Sequence, residues 1–378
     1  MRVVVAPDSF KGSLDAAGVA RALAHGWRSV RPGDEVVEVP LADGGEGSLE
    51  VLAAAVPGAR VVPVAGVSGP DGRLVDAAWL AVPDGTAVVE LARSSGLPLM
   101  SARDARGAHT LGLGQVMLAA AAHPGTRRLV VALGGSASTD GGTGALRALG
   151  LRLLDAAGAE LPLGGGSLAR LTGVVRGGLV RLPPVSCLVD VTNPLLGPSG
   201  AAAVFGPQKG ASPEDVAHLE AGLARLAQVL GAQEVAALPG AGAAGGTAFG
   251  LAAVLGARLE PGAARLAELA GLGRALEGAR LVLTGEGSFD AQSLGGKVVG
   301  EVLARAARTG VPAAVVAGRA PEPDLVPGLP VATLLAQAGS AEAALSEPAR
   351  WAAAAAAALA RAWQGAPWGP AQSFVTGE

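Results

Sequence analysis

The chain has 378 residues, half of them hydrophobic and 58 of them glycine, with a formal net charge of −3. That length suits roughly two domains of about 150 residues, and the near-neutral charge offers no basic field for nucleic acid or an anionic membrane. A single cysteine, Cys187, excludes an internal disulfide and fits a reducing cytoplasm; no leader peptide and no membrane span are expected.

The apolar run 3–6 predicts a first strand. Val19, Leu23, Trp27 and Val30, spaced by four, four and three, predict one face of the helix that follows, with Ser13 as its cap. A second strand at 36–39 completes a β-α-β opening, which implies a parallel sheet. The runs 60–64, 73–82 and 87–92 follow so closely, with turns such as PDG between them, that antiparallel pairing is expected. Strands are expected at 129–133, 151–156 and 185–191, and helices at 112–122, 213–230, 247–257 and 261–277. A doubly wound rhythm then returns, with a strand at 280–287, a helix at 296–308, strands at 313–318 and 331–336, and an Ala-rich helix from about 341 to 363.

Polar residues concentrate in six loops: PDSFKGS (7–13), ADGGEGS (42–48), GGSASTDGG (134–142), DVTNPLLGPSGAAAVFGPQKG (190–210), PGAGAAGG (239–246) and TGEGSFDAQSLGGK (284–297). Four of them follow predicted strands, at the carboxyl ends where open α/β sheets collect ligands. GGSASTDGG offers backbone N–H groups without side-chain obstruction, hydroxyls from Ser136, Ser138 and Thr139, and a helix-like continuation, a pattern that favours a phosphate. No Walker motif is present, since Lys297 precedes Val298 and no Gly stands five residues before Gly296. GAGAAG (240–245) matches G-x-G-x-x-G, but it follows a poor strand ending in Pro239 and reads better as a close-approach loop than as a dinucleotide fingerprint.

Only three of the 29 basic residues are lysine (Lys11, Lys209 and Lys297), and asparagine occurs once, at Asn193. All four fall inside these loops, where arginine cannot mimic a compact point charge. The same loops carry Asp8, Asp43, Glu46, Asp140, Asp190, Glu286 and Asp290. Mg²⁺ with a nucleotide needs one or two carboxylates, since phosphates and waters complete its octahedron. Phosphoryl transfer also needs cations on the migrating charge and a base for the attacking hydroxyl, and these lysines and acids supply both. The four histidines lack metal spacing, so no zinc site is expected, and His109 alone is a candidate substrate contact. Phe10, Phe205, Phe249 and Phe289 lie in or beside the loops, where they could pack or wall a pocket.

Taken together and in order, APDSFKGSL, ADGGEGS, GGSASTDGG, DVTNPLLGP…VFGPQKGA, PGAGAAGG and TGEGSFDAQSLGGK resemble the bacterial class I glycerate kinases. The resemblance runs from residue 2 to about 318. It implies two α/β domains: a discontinuous, flavodoxin-like, doubly wound domain (1–61 and 276–378) with a mixed α/β domain (62–275) inserted, and an active site in the cleft between them. It also implies phosphorylation of D-glycerate by ATP and Mg²⁺, with the 2-hydroxyl favoured over the 3-hydroxyl. On that basis Asp190, Lys11, Asp43 and Lys297 are expected to be catalytic, and Asp8, Ser9, Asn193, Glu286 and Asp290 to bind the substrate. Gly134, Gly135, Ser136, Ser138, Thr139 and Lys209 are expected to bind ATP, and Asp43, Asp190 and Asp290 to bind the metal. Two departures stand out: Ser138-Thr139 where many members have Thr-Asn, and Ser288-Phe289 where many have Arg-Ile or Arg-Leu. The expected partners are small molecules, with no nucleic acid and no membrane, and a homo-oligomer is left open. A nicotinamide-dependent oxidoreductase resting on GAGAAG is the second enzyme class. A sugar-acid-binding regulator is the non-enzyme alternative, although no basic DNA-binding segment is visible.

Overall fold

The structure, a computed structural model, describes residues 1–363 except 46 and 323. It separates into two units: Met1–Asp43, Glu50–Pro57 and the chain from Gly262 onward form the first, and Gly44–Leu49 with Gly58–Pro261 forms the second. Among the described residues, no helix is long and apolar enough to cross a membrane.

The first unit is built on five parallel strands in the order Val331–Thr333, Ala313–Arg319, Leu281–Ser288, Arg2–Val5 and Glu35–Glu38. Counted along the chain and read from the other edge, the order is 2-1-3-4-5, the doubly wound order of flavodoxin-like sheets. Val3, Val4 and Val5 are all fully buried, as expected of a central strand covered on both faces. Helix Ala16–Val30 packs Val19, Leu23 and Trp27 into the same core, alongside helix Pro348–Ala362. Its cap is Asp15, which accepts from the Gly18 N–H at 2.6 Å. Ser13, the expected cap, is instead used by the turn before the helix, where its hydroxyl donates to the Phe10 carbonyl at 3.0 Å.

The second unit holds a mixed six-stranded sheet in the order Arg258–Pro261, Val185–Val189, Arg128–Ala132, Thr86–Glu90, Leu74–Ala81 and Arg60–Ser68. The expected antiparallel pairing holds for its last three strands, while Thr86–Glu90 pairs in parallel with Arg128–Ala132. A separate hairpin joins Arg152–Leu154 to Gly173–Val175. Arg258–Pro261 and Gly173–Val175 lack an apolar run long enough to mark them in the sequence.

Three expected elements prove shorter. The helix predicted over 261–277 is two, Gly262–Leu269 and Leu272–Leu276, broken where Gly271 adopts φ 76°. The strand predicted over 331–336 ends at Thr333, whose hydroxyl accepts from the Ala336 N–H and starts helix Leu334–Ala338. The terminal helix divides into Ala341–Ser346 and Pro348–Ala362, with Pro348 at the first position of the second piece.

The unit boundaries also fall away from 62 and 275. Arg305 donates to the Ala264 carbonyl at 2.8 Å, tying helix Gly262–Leu269 to helix Val298–Thr309 of the first unit. Conversely, the buried Glu90 carboxylate accepts from the Gly47 and Leu49 N–H groups, which ties 44–49 into the second.

Gly26 sits at a point of helix contact that admits no side chain, because a Cβ there would lie 2.0 Å from the Ala353 carbonyl oxygen. Gly26→Ala is therefore expected to destabilise by about 2–3 kcal/mol, despite alanine's better helix propensity. Gly33→Ala, which meets nothing within 4 Å, is the control. Thermal unfolding reads both, and an unchanged Tm for Gly26→Ala would contradict this packing.

Candidate active site

Every strand of the first unit sends its carboxyl end toward one cavity of about 490 Å³. Pairing between the two central strands continues beyond Val5. The Ala6 N–H donates to Leu283 O and the Asp8 N–H to Gly285 O, at 2.7 and 2.8 Å, which fixes Asp8 beside Glu286. Ser9 and Lys11 follow on the same loop and also line the cavity. The neighbouring edge strand delivers Asp43 through a lead-in held by the Leu41 N–H on the Pro7 carbonyl. Strand Leu281–Ser288 contributes Glu286 and Ser288, and the turn after it contributes Asp290 and Lys297. Asp290 caps that turn, accepting from the Gln292 N–H at 3.0 Å, and Lys297 stands at the N-terminal boundary of helix Val298–Thr309. The last two strands add Arg319 and, through the helix that follows, Leu334 and Leu335.

The electrostatics are unusual for so small a space. Burial, reinforced by the nearby Asp43 charge, pushes the Asp8 carboxyl up to about 7; the Ser9 N–H at 2.6 Å and the Lys11 charge pull the other way. Burial also raises Glu286, against the Ser293 hydroxyl and the Lys297 charge. Among the described residues its Oε1 is buried with no hydrogen-bond partner, so one acceptor of this carboxylate stands ready for a donor. Lys11 Nζ lies 3.8 Å from Asp43 Oδ2, but its side chain is 80 % exposed, so the pair adds little stability and leaves the ammonium within reach of a ligand. Arg319 donates through Nε to the Ser288 hydroxyl at 3.3 Å and forms no ion pair among the described residues. The sequence reading missed it because the expected strand stopped one residue short; an arginine at the carboxyl end of an apolar run was the available signal.

The second unit revises several expectations. Ser138 and Thr139 are fully buried, and Ser136 is nearly so. Lys209, expected to contact ATP, is itself buried, donating to Ser136 Oγ at 2.9 Å and to the Ser138 carbonyl at 2.5 Å. It braces the glycine loop from within, and burial pushes its ammonium down to about 7. The N-terminus of the short helix Thr143–Ala148 already has its anion. Asp140 accepts from the Gly142 and Gly144 N–H groups, and also from the Thr110 N–H and hydroxyl. Only Gly134 and Gly135 of the expected phosphate loop reach the surface. The GAGAAG segment interlocks with this loop, for a Cβ on Gly245 would lie 2.0 Å from the Ser138 carbonyl oxygen. Its glycines serve backbone contact; they lie on the crossover between the parallel strands Val185–Val189 and Arg258–Pro261, but the element that leads into them is helix Gln233–Ala236 and not a strand, as a dinucleotide fingerprint would need.

Asp190 is exposed just past strand Val185–Val189, and half-buried Asn193 donates to the Ser199 carbonyl at 2.7 Å. Both belong to the second unit, whereas Asp8, Ser9, Lys11, Asp43, Glu286, Asp290 and Lys297 line the first unit's cavity. Among the described residues no three carboxylate, imidazole or thiol groups form a metal cage, so Asp43, Asp190 and Asp290 are not a preassembled trio. His109 is buried, and burial lowers its pKa, so it packs as a neutral ring. Cys187 is an inert core thiol, pushed up to about 12 by burial. Of the four phenylalanines only Phe10 lines the cavity. Glu46 lies outside the described residues.

Comparison with known proteins agrees with the architecture. The profile of the glycerate kinase family matches residues 3–364. A glycerate 2-kinase of Escherichia coli K12 is 42% identical over 309 residues, covering 79% of this chain and 80% of its own. A glycerate kinase of Bacillus subtilis is 40% identical over 328 residues, covering 84% and 85%. A crystal structure of a Salmonella typhimurium LT2 protein assigned as glycerate kinase 2 superposes with a TM-score of 0.82 at 35% identity, covering 96% of this chain and 98% of that one.

The Asp8 environment has a thermodynamic signature. A carboxyl whose folded pKa is raised from 3.8 to about 7 lets the folded state bind the extra proton. Its contribution is therefore present below pH 4 and lost as pH rises through 7, a swing of up to about 4 kcal/mol. Asp8→Asn is expected to raise Tm at pH 8, with the gain vanishing near pH 4. A gain of equal size at both pH values would show that burial does not perturb this carboxyl.

Proposed function

The chain belongs to the glycerate kinase family, and on that premise we propose that it transfers the γ-phosphoryl group of ATP to a hydroxyl of D-glycerate, the 2-hydroxyl favoured, in the cytoplasm. The observation that carries this reading is the convergence of Asp8, Lys11, Asp43, Glu286, Asp290 and Lys297 on one cavity at the carboxyl edge of the parallel sheet.

The groups divide the work by chemistry. Glu286 Oε1, without a partner among the described residues, accepts from the other hydroxyl of D-glycerate and so orients the one that attacks. Asp8, with a pKa near the working pH, takes the proton as that oxygen attacks the γ-phosphorus and the bond to the bridging oxygen of ADP breaks. Lys11 and Lys297 offset the negative charge of the substrate carboxylate and the migrating phosphoryl group. Ser9 supplies a hydroxyl and its backbone for orientation. Asp43 and Asp290 are hard oxygen donors suited to Mg²⁺, which needs few protein ligands when phosphates complete its shell. The mutual repulsion that helps raise Asp8 is the kind a cation relieves. When bound, Mg²⁺ supplies charge neutralisation on the phosphates. For Asp190 and Asn193, which belong to the second unit, the roles proposed are those that the family resemblance implies. Gly134 and Gly135 are the part of the glycine loop able to meet a phosphate, and Lys209 keeps that loop in shape.

Phosphorus NMR of the product from D-glycerate, ATP and Mg²⁺ is expected to show 2-phosphoglycerate. A 3-phosphoglycerate signal would move the attack to the other hydroxyl, and no phosphoglycerate at all would refute the proposal. Lys297→Ala and Asp190→Asn are each expected to lower kcat by about 100-fold or more in a folded protein; a variant with near-normal turnover removes that residue. The wild-type kcat/KM should rise with pH through about 7 as Asp8 loses its proton, and Asp8→Asn should abolish that rise along with most activity.

A further inference from the structure

The cavity is much larger than a three-carbon acid requires, and its lining is ordered. The sheet sequence fixes that order from one edge to the other. Leu334 and Leu335 follow the edge strand, then come Arg319, then Glu286 and Asp290, then Asp8 and Lys11, and Asp43 at the far side. With strands about 4.8 Å apart, five of them span roughly 19 Å. The acidic and lysine-bearing end is the one used above. The other end is apolar, because helix Ala341–Ser346 packs on helix Leu334–Ala338 and adds Ala341, Ala344 and Leu345 to the wall.

Two features of that end are unexplained by the fold. Eight large hydrophobic side chains are markedly exposed among the described residues, and two of them, Leu335 at 41% and Leu345 at 66%, line this cavity. Between this wall and the carboxylates stands Arg319, whose Nε donates to the Ser288 hydroxyl and whose guanidinium has no carboxylate partner among the described residues. A planar apolar group, then a site for an anion, then oxygen donors and ammonium groups form the sequence of chemistries along an extended nucleoside triphosphate with its cation.

We propose that the first unit's cavity is the nucleotide site, with the purine base against Leu334, Leu335 and Leu345 and the phosphates running past Arg319 toward Lys297. This rests on the kinase reading and deepens it. It assigns the base-binding wall to helices 334–338 and 341–346, and it gives Arg319 a phosphate rather than a structural partner. In the second unit's glycine loop, Asp140 and Lys209 already occupy backbone and hydroxyl groups that a phosphate would use.

The test is equilibrium binding of a fluorescent ATP analogue, the N-methylanthraniloyl derivative, with Mg²⁺, to the full chain and to Leu345→Glu, Leu335→Glu and Arg319→Ala. D-glycerate KM is measured in parallel. Both leucines are exposed, so the variants are expected to keep the wild-type Tm. Nucleotide Kd should rise about tenfold or more in each, with D-glycerate KM within about twofold. A Kd unchanged in the two leucine variants, or a wild-type chain that does not bind the analogue, overturns the assignment. Binding that is lost in these variants while D-glycerate is never phosphorylated would leave the nucleotide site standing and refute the acceptor named above.

Discussion

The strand order 2-1-3-4-5 is the constraint on which the site depends. In a doubly wound sheet, loops leaving the carboxyl ends diverge at the strand pair where the winding reverses, and a crevice opens there. Here that pair is Arg2–Val5 and Leu281–Ser288, brought together although some 276 residues separate Val5 from Leu281 in the chain. Backbone bonds from Ala6 and Asp8 extend the pairing past the strand proper, and Thr284 adds a hydroxyl bond to the Ala6 carbonyl at 2.8 Å. The first loop's crowding of Asp8, Ser9 and Lys11 is thereby given partners it could not find locally. On the other side of Leu281–Ser288, glycine permits the close approach of strand Ala313–Arg319, since a Cβ on Gly318 would lie 2.4 Å from the Gly287 carbonyl oxygen.

That geometry places carboxylates where they repel one another and water is scarce. A lone buried acid would be tolerated by staying protonated; four acids with two lysines and an arginine form a site that is incomplete until substrate and cation arrive. The raised Asp8, the unpartnered Glu286 Oε1 and the exposed Lys11 and Arg319 all follow from this incompleteness. The second unit shows the opposite design. Its glycine loop carries similar residues, yet Asp140 and Lys209 bond to its backbone and to the Ser136 hydroxyl, while the Ser138 and Thr139 hydroxyls are buried without a partner among the described residues.

Much of the fold was legible. Valine-rich runs ending in polar loops marked the parallel strands, and the closely spaced runs at 60–92 marked the antiparallel edge, because burial on both faces or tight turns leave that imprint on composition. Of the cavity lining, Asp8, Lys11, Asp43, Asp290 and Lys297 were legible as polar residues beyond strand ends, and Glu286 as an acid near the carboxyl end of an apolar strand. The burial of Lys209, Ser136, Ser138 and Thr139 was not legible, because sequence alone cannot tell an empty glycine cradle from one filled by its own neighbours. Lys209, one of three lysines in the chain, has the loop itself as its hydrogen-bond partner. Arg319 escaped because the expected strand ended one residue before it, and Leu335 and Leu345 because two leucines on short helices carry no local pattern; sheet order sets all three in line.

The most direct measurement is a crystal structure of the full chain with D-glycerate, a non-hydrolysable ATP analogue and Mg²⁺. The glycerate hydroxyl that does not attack is expected within hydrogen-bond distance of Glu286 Oε1, with Lys11 and Lys297 on the anionic groups. Clear density for both ligands away from the cavity lined by Asp8, Glu286 and Lys297 would contradict the reading of this site.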